Sequence, residues 1–196
     1  MTSLLKHAIT STLDYMRTIP YTWDDSIYGD GKEKPEPTKL LQKVLVWNDQ
    51  VSRMAEKIQK DGGYLFACPA AFLELVAEDT TQVLENVTET NYCFRFHLVD
   101  MQLNALDEDT LDQNLDVIDY RDTLKTYMVG FQPDYCSTLF AVGEEQDYKH
   151  TNIYHYIIEM KCLFRDTKGS ILDPDEVKVI YKEPDTNLEL DLQIEN

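Results

Sequence analysis

Two alternating runs, Tyr92-Cys93-Phe94-Arg95-Phe96-His97-Leu98-Val99 and Tyr154-His155-Tyr156-Ile157-Ile158-Glu159-Met160-Lys161-Cys162-Leu163-Phe164, bracket the stretch that decides the fold. In the first, Phe94, Phe96 and Leu98 fall on one side and Arg95 and His97 on the other, the period of a half-buried strand whose successive side chains point to opposite faces. In the second, Tyr154, Tyr156, Ile158, Met160, Cys162 and Phe164 share a face opposite His155, Glu159 and Lys161. Between the runs, Leu111, Leu115 and Ile118 lie on one helical stripe with Asp112, Asp116 and Asp119 off it. Leu124 and Met128 fit that stripe less well, so a bend or restart is expected near Tyr120. One amphipathic helix covering one sheet face is the simplest packing of these pieces.

Working outward, residues 3–18 read as an opening helix with Leu4, Leu5, Ala8, Ile9, Leu13 and Met16 on one side, a cap at Thr2 or Ser3, and Pro20 as its stop. Residues 21–38, broken by Gly29, Gly31, Pro35 and Pro37, read as a long loop or arm carrying Trp23, Ile27 and Tyr28. Residues 40–46 read as a strand and 51–60 as a helix stopped at Gly62-Gly63, against the alternative of one helix over 38–60 begun at Pro37. Residues 64–77 read as a strand that Pro69 interrupts early, 78–82 as a polar turn, and 83–90 as a strand leading into 92–99. A short strand over 137–142 and a connection over 143–151 precede the last long strand.

Beyond it, Val177, Val179 and Tyr181 alternate with Lys178, Ile180 and Lys182; residues 183–187 supply a turn, and Leu188, Leu190, Leu192 and Ile194 alternate with Glu189, Asp191 and Gln193. That is a hairpin pattern, and since a lone hairpin is marginal in water, it is expected to lie on the parent sheet or on another subunit. The expected class is α+β: a mostly antiparallel sheet packed by helices over residues 1–166, including the 20–38 loop, with a C-terminal β-hairpin extension over 167–196.

A chain of 196 residues, 43% of them hydrophobic, has material for one well-packed domain. No apolar run approaches the roughly 18 residues of a membrane span. Residues 1–19 are interrupted by Lys6, His7, Asp14 and Arg17, so no signal peptide or anchor is expected and the chain should stay in the cytoplasm where it is made. Eighteen basic against 36 acidic residues, a net charge of −18, argue against a broad phosphate-binding surface. Cys68, Cys93, Cys136 and Cys162 are scattered without paired spacing, which reads as free thiols in apolar surroundings rather than a zinc site.

Motifs that would carry chemistry are missing. Asp107, Glu108, Asp109 and Asp112 lack the central glycine and closing glutamate of a calcium loop and read as an acidic first helical turn. His150 and His155 straddle a strand entry and do not share a helix face, while His97 and His155 could be neighbours across two strands on a sheet surface. Pairs such as Asp24-Asp25 and Glu144-Glu145 follow from the abundance of acids, and Asn86-Val87-Thr88 is a chance glycosylation match in a chain that is not secreted. No enzyme, catalytic residue, cofactor or metal ligand is expected.

Three segments, Phe94-Arg95-Phe96-His97-Leu98-Val99, Leu115-Asp116-Val117-Ile118-Asp119 and Glu144-Glu145-Gln146-Asp147-Tyr148-Lys149-His150-Thr151-Asn152-Ile153-Tyr154-His155-Tyr156, stand in an order that resembles the tail-terminator and tail-completion proteins of bacteriophages. The resemblance runs from the first helix to Phe164. It implies a virion component that closes, as a homo-oligomeric hexamer or dodecamer, into a ring at the head-to-tail junction or tail end. Such a ring meets neighbouring neck, portal-proximal or tail proteins, acts in tail completion and attachment, and passes genomic DNA transiently through its lumen without contacting a membrane. On that reading Trp23, Tyr28, Trp47, Leu188, Leu190, Leu192 and Ile194 are candidate subunit-interface residues. Asp112, Asp116, Asp119 and Asp122 form a candidate acidic surface facing solvent or a lumen that repels phosphate. The charge alone supports a different expectation, an acidic inhibitor or immunity-type protein that binds a basic protein partner.

Overall fold

The two alternating runs become neighbours at the centre of one sheet. In the computed structural model, which describes residues 3–21, 38–84, 87–101, 111–149 and 153–167, the chain runs α1 (Leu4–Met16), β1 (Pro20–Tyr21), β2 (Thr38–Lys39), β3 (Lys43–Val46), α2 (Gln50–Asp61), β4 (Ala70–Leu84), β5 (Val87–Met101), α3 (Leu111–Met128), β6 (Phe140–Asp147) and β7 (Ile153–Asp166). Five strands form a sheet in the order β3-β4-β5-β7-β6, antiparallel except for the parallel β3–β4 pair. β5 and β7 pair along their length, from Thr88 opposite Asp166 to Met101 opposite Ile153. The fold is α+β, as the patterning predicts.

Period-two alternation sorts the sheet into two faces. Ala71, Leu73, Phe94, Phe96, Leu98, Ile158, Met160, Cys162 and Phe164 point to one, where they meet Ala8, Leu13 and Met16 of α1 and Leu124 and Met128 of α3. The other face carries Ala70, Phe72, Val99 and Ile153, which pack on Val51 and Met54 of α2. Burying side chains of this size, at about 25 cal/mol per Å² of apolar surface, is the main force holding the layers together.

α2 ends at Gly62, whose φ of 67° is the left-handed conformation that glycine adopts without steric cost, and its N–H donates to the Ile58 carbonyl at 3.0 Å. Separate strand and helix over 43–61 therefore replace the alternative of one long helix. β1 pairs with β2 through Pro20–Lys39 and Tyr21–Thr38, so the 22–37 segment leaves and returns at one two-stranded ladder.

Several sequence expectations need correction. Residues 78–82 belong to β4 rather than to a turn; they are polar because the outer half of β4 extends past the helices, where residues 77–84 are all exposed. Val83 accordingly closes β4 and does not open β5, which begins at Val87. β6 continues to Asp147 where a connection was expected, held by pairing with β7 down to His155. Among the described side chains of α3, Val117, Leu124 and Met128 are buried, whereas Ile118 is 37% exposed; the side chains of Leu111 and Leu115 lie outside the described residues. The helix continues through Tyr120 without a restart. All four cysteines are free, three of them buried and Cys68 half-buried. Among the described residues no helix is long and apolar enough to cross a membrane.

Candidate functional site

On the α2 side of the sheet, neighbouring strands place a row of polar side chains beneath a tryptophan. Glu74 of β4, His97 of β5, His155 of β7 and Asp147 of β6 connect in sequence across four strands. Glu74 Oε2 lies 3.1 Å from His97 Nε2, His97 Nδ1 lies 2.9 Å from His155 Nε2, and His155 Nδ1 lies 3.3 Å from Asp147 Oδ2. Register sets this up: His155 pairs with both Val99 and Asp147, so His97, two residues before Val99, is its diagonal neighbour. Both imidazoles are buried. Trp47, in the link from β3 to α2, lies flat on His97 with ring centroids 3.9 Å apart and also overlaps His155 at 5.6 Å. Its backbone N–H is fixed by the Leu73 carbonyl at 2.8 Å.

Proton counting shows what the row can do. Each of its three contacts is a hydrogen bond only if a ring nitrogen carries a proton, with both carboxylates ionised as acceptors. Two neutral imidazoles carry two such protons, so with both rings neutral one of the three contacts lacks a hydrogen, and a third proton would place a charge in the buried row. A fourth would set N–H against N–H across 2.9 Å. Burial pushes His97 down to about 4, and the charges of His155 and Arg95 push the same way against the pull of the Glu74 carboxylate. Burial also works against the charge of Asp147, but the Lys149 amide and ammonium and His155 outweigh it and hold that carboxyl below its ordinary value. Both nitrogens of His97 are committed within the chain, and Trp47 covers the ring, so His97 is not placed to take a proton from a substrate. The row cross-links strands.

Farther along the same face, opposite charges alternate across the strands. Arg95 bonds Glu159 at 2.8 Å and lies 3.6 Å from Glu74, Lys161 reaches Glu78 at 2.7 Å, and Arg165 bonds Glu89. These partly exposed pairs contribute little stability each. Their effect is to pair the strand cations Arg95, Lys161 and Arg165 with local acids.

α3 lies on the opposite face and turns Asp119 and Asp122 outward, Asp122 bonding Arg121 at 2.7 Å. The side chains of Asp112 and Asp116 lie outside the described residues. Lys125 ties α3 to Glu144 of β6, the Tyr156 hydroxyl donates to the same carboxylate at 2.8 Å, and the Arg121 guanidinium sits 5.2 Å above the Tyr156 ring. An open depression of about 350 Å³ at the end of α3 is lined by Tyr15, Thr126, Tyr127, Val129, Gly130 and Phe131 and has no acid–base pair. Among the described residues, no group of three or more His, Cys, Asp or Glu side chains is disposed to hold a metal ion.

Two surfaces lack cover from the described core. One is the β4–β5 arm, on which Val83 and Leu84 are 45% and 62% exposed. The other is the outer edge of β6, where Phe140 and Val142 are 55% and 44% exposed. The opposite edge strand, β3, is partly closed by Arg17 and Gln50, whose side chains donate to the Val44 and Val46 carbonyls.

Of the interface candidates, Trp47 is placed within its own sheet, stacked on the histidine row; Trp23, Tyr28, Leu188, Leu190, Leu192 and Ile194 lie outside the described residues. The sequence allows His97 and His155 as neighbours across two strands, and they are; their burial and the carboxylates at either end of the row are not legible, because pairing register is not written in either strand. The available signal was a histidine facing the same way as acids on neighbouring strands. No protein-family model matches the chain, and no curated protein matches its sequence.

Proposed function

We propose that this chain is a structural subunit that closes into a ring at the head-to-tail junction or tail end of a bacteriophage, serving tail completion and the passage of DNA. The observation that carries this reading is the β4–β5 arm. Residues 77–84 of β4 are exposed and pair on one side only, with β5, so this free edge of the sheet gains stability when a neighbour covers it. The exposed outer half of β4 at one edge of the sheet and β6 at the other are two different surfaces, the requirement for the head-to-tail contacts that close a ring. The outward acids Asp119 and Asp122 and the internally paired cations fit a lumen that lets phosphate slide. Nothing in the histidine row or the depression by Phe131 supplies a substrate-facing acid and base, which favours an assembly role over catalysis.

The test is the mass of the purified chain by light scattering together with electron microscopy of the same sample. Closed rings of one copy number support the proposal. A monomer at all concentrations that also fails to join tails or heads sinks it.

A further inference from the structure

The sheet ends in two strands of complementary character. β6, at one edge, begins with exposed Phe140 and Val142 and continues into the acids Glu144, Glu145 and Asp147. β3, at the other, begins with exposed Lys43 and continues into exposed Leu45 and Val46. No described backbone group outside β4 and β7 bonds residues 43–46 or 140–147, and an edge left open in this way is a template for another strand. Only side chains close β3: Arg17 and Gln50 donate to the Val44 and Val46 carbonyls at 3.3 and 2.7 Å. Arg17 also holds Asp14 at 2.6 Å, and each carbonyl oxygen has a second lone pair, so neither side chain bars an incoming strand. Among the described residues, neither Lys43 nor Glu145 is taken up in an ion pair.

We propose that β6 of one copy pairs antiparallel with β3 of the next, with Glu145 opposite Lys43, and so carries one sheet from subunit to subunit. This contact rests on the head-to-tail reading above and gives it a register. Direction follows from the fold. β3 is parallel to β4, and β4, β5, β7 and β6 alternate, so β3 and β6 run oppositely and a copy added in the same orientation brings them together antiparallel. The side chains agree. β3 reads basic then apolar and β6 apolar then acidic, so antiparallel pairing sets cation against acid and apolar against apolar.

The two faces of the sheet fix the register. Lys43 and Leu45 pair with Ala70 and Phe72 and lie on the α2 side. Past the shift between Ala141 and Gly143, Gly143, Glu145 and Asp147 lie on that side too, opposite Glu159, Ile157 and His155 of β7, and Phe140 joins them opposite Lys161. A continuous sheet brings like faces together, so Lys43 meets either Glu145 or Asp147. The second choice sets Leu45 against Glu145 and leaves Phe140 and Val142 uncovered. The first sets Leu45 over Gly143, next to Phe140, and brings Val46 to Ala141 and Val142. Glu144 is held by Lys125 and Asp147 by His155 and Lys149, which leaves Glu145 as the acid open to a neighbour's cation. Charge also selects β3 over a second β6, which would gather the acids of both copies with no cation between them.

The test uses the full chain throughout. Lys43→Glu and Glu145→Lys are exposed changes that leave urea unfolding as it is, and each should weaken self-association in sedimentation about tenfold. The exchanged pair Lys43→Glu/Glu145→Lys should return it to within about threefold of the native chain. Lys43→Cys/Glu145→Cys in a Cys68→Ser background should oxidise to a ladder of dimer, trimer and higher bands on a denaturing non-reducing gel, and neither single cysteine should give more than a dimer. A native chain that associates while both charge reversals leave it unchanged, or while the cysteine pair stays at monomer mass, overturns this contact and leaves the ring reading standing. A native chain that never associates overturns both.

Discussion

His97 Nδ1 and His155 Nε2 face each other at 2.9 Å across β5 and β7, with Trp47 lying flat on the His97 ring. The first prediction concerns acid. His97 is held near 4 in the folded chain, below the ordinary histidine value of about 6.5 that it recovers on unfolding. The unfolded form therefore takes the proton first: the contribution is complete above about pH 6.5 and is lost as pH falls toward 4, by up to about 3 kcal/mol. Urea unfolding from pH 7.5 to 4.5 should show this loss, and His97→Phe should flatten it relative to the native chain. Asp147 acts in a lower window, because its depressed folded value matters only below the ordinary carboxylate range.

Trp47 should matter for stability before it matters for assembly. Trp47→Ala removes the ring that covers His97 and touches Phe72, and should cost about 2–4 kcal/mol in urea unfolding at pH 7. Water reaching His97 should raise its midpoint toward the ordinary value in a proton NMR titration. An unmoved midpoint would mean that the indole does not supply the burial.

The face that α3 presents to the sheet is open to a direct comparison. Leu124 is fully buried, so Leu124→Ala should cost about 3 kcal/mol. Ile118 is over a third exposed, so Ile118→Ala should cost under about 1 kcal/mol. Equal losses would return Ile118 to the buried face read from the sequence.

These residues also show where sequence reading stops. β5 and β7 are legible because both alternate cleanly over a buried face, and the end of α2 is legible in Gly62. The outer half of β4 is not: Glu78, Asp79, Thr80, Thr81 and Gln82 look like a turn because no core lies under the arm to demand apolar residues. On α3 the buried position is Val117 and not Ile118, since two adjacent apolar residues leave the helix face undecided. The histidine row depends on three pairing registers together, and no single strand contains them.

The arm carries the assembly claim. Leu84→Asp lies on an exposed strand end, so it should leave the unfolding free energy of the chain within about 0.5 kcal/mol while weakening self-association in sedimentation at least tenfold. Loss of folding without a change in association would show that the arm packs on its own domain.

The account stands or falls most directly on the mass and shape of the purified full chain, read by light scattering and electron microscopy on one sample. It predicts closed rings of a single copy number that dissociate in Leu84→Asp. A protein that stays monomeric at every concentration, and neither joins virion parts nor closes when they are present, would contradict it.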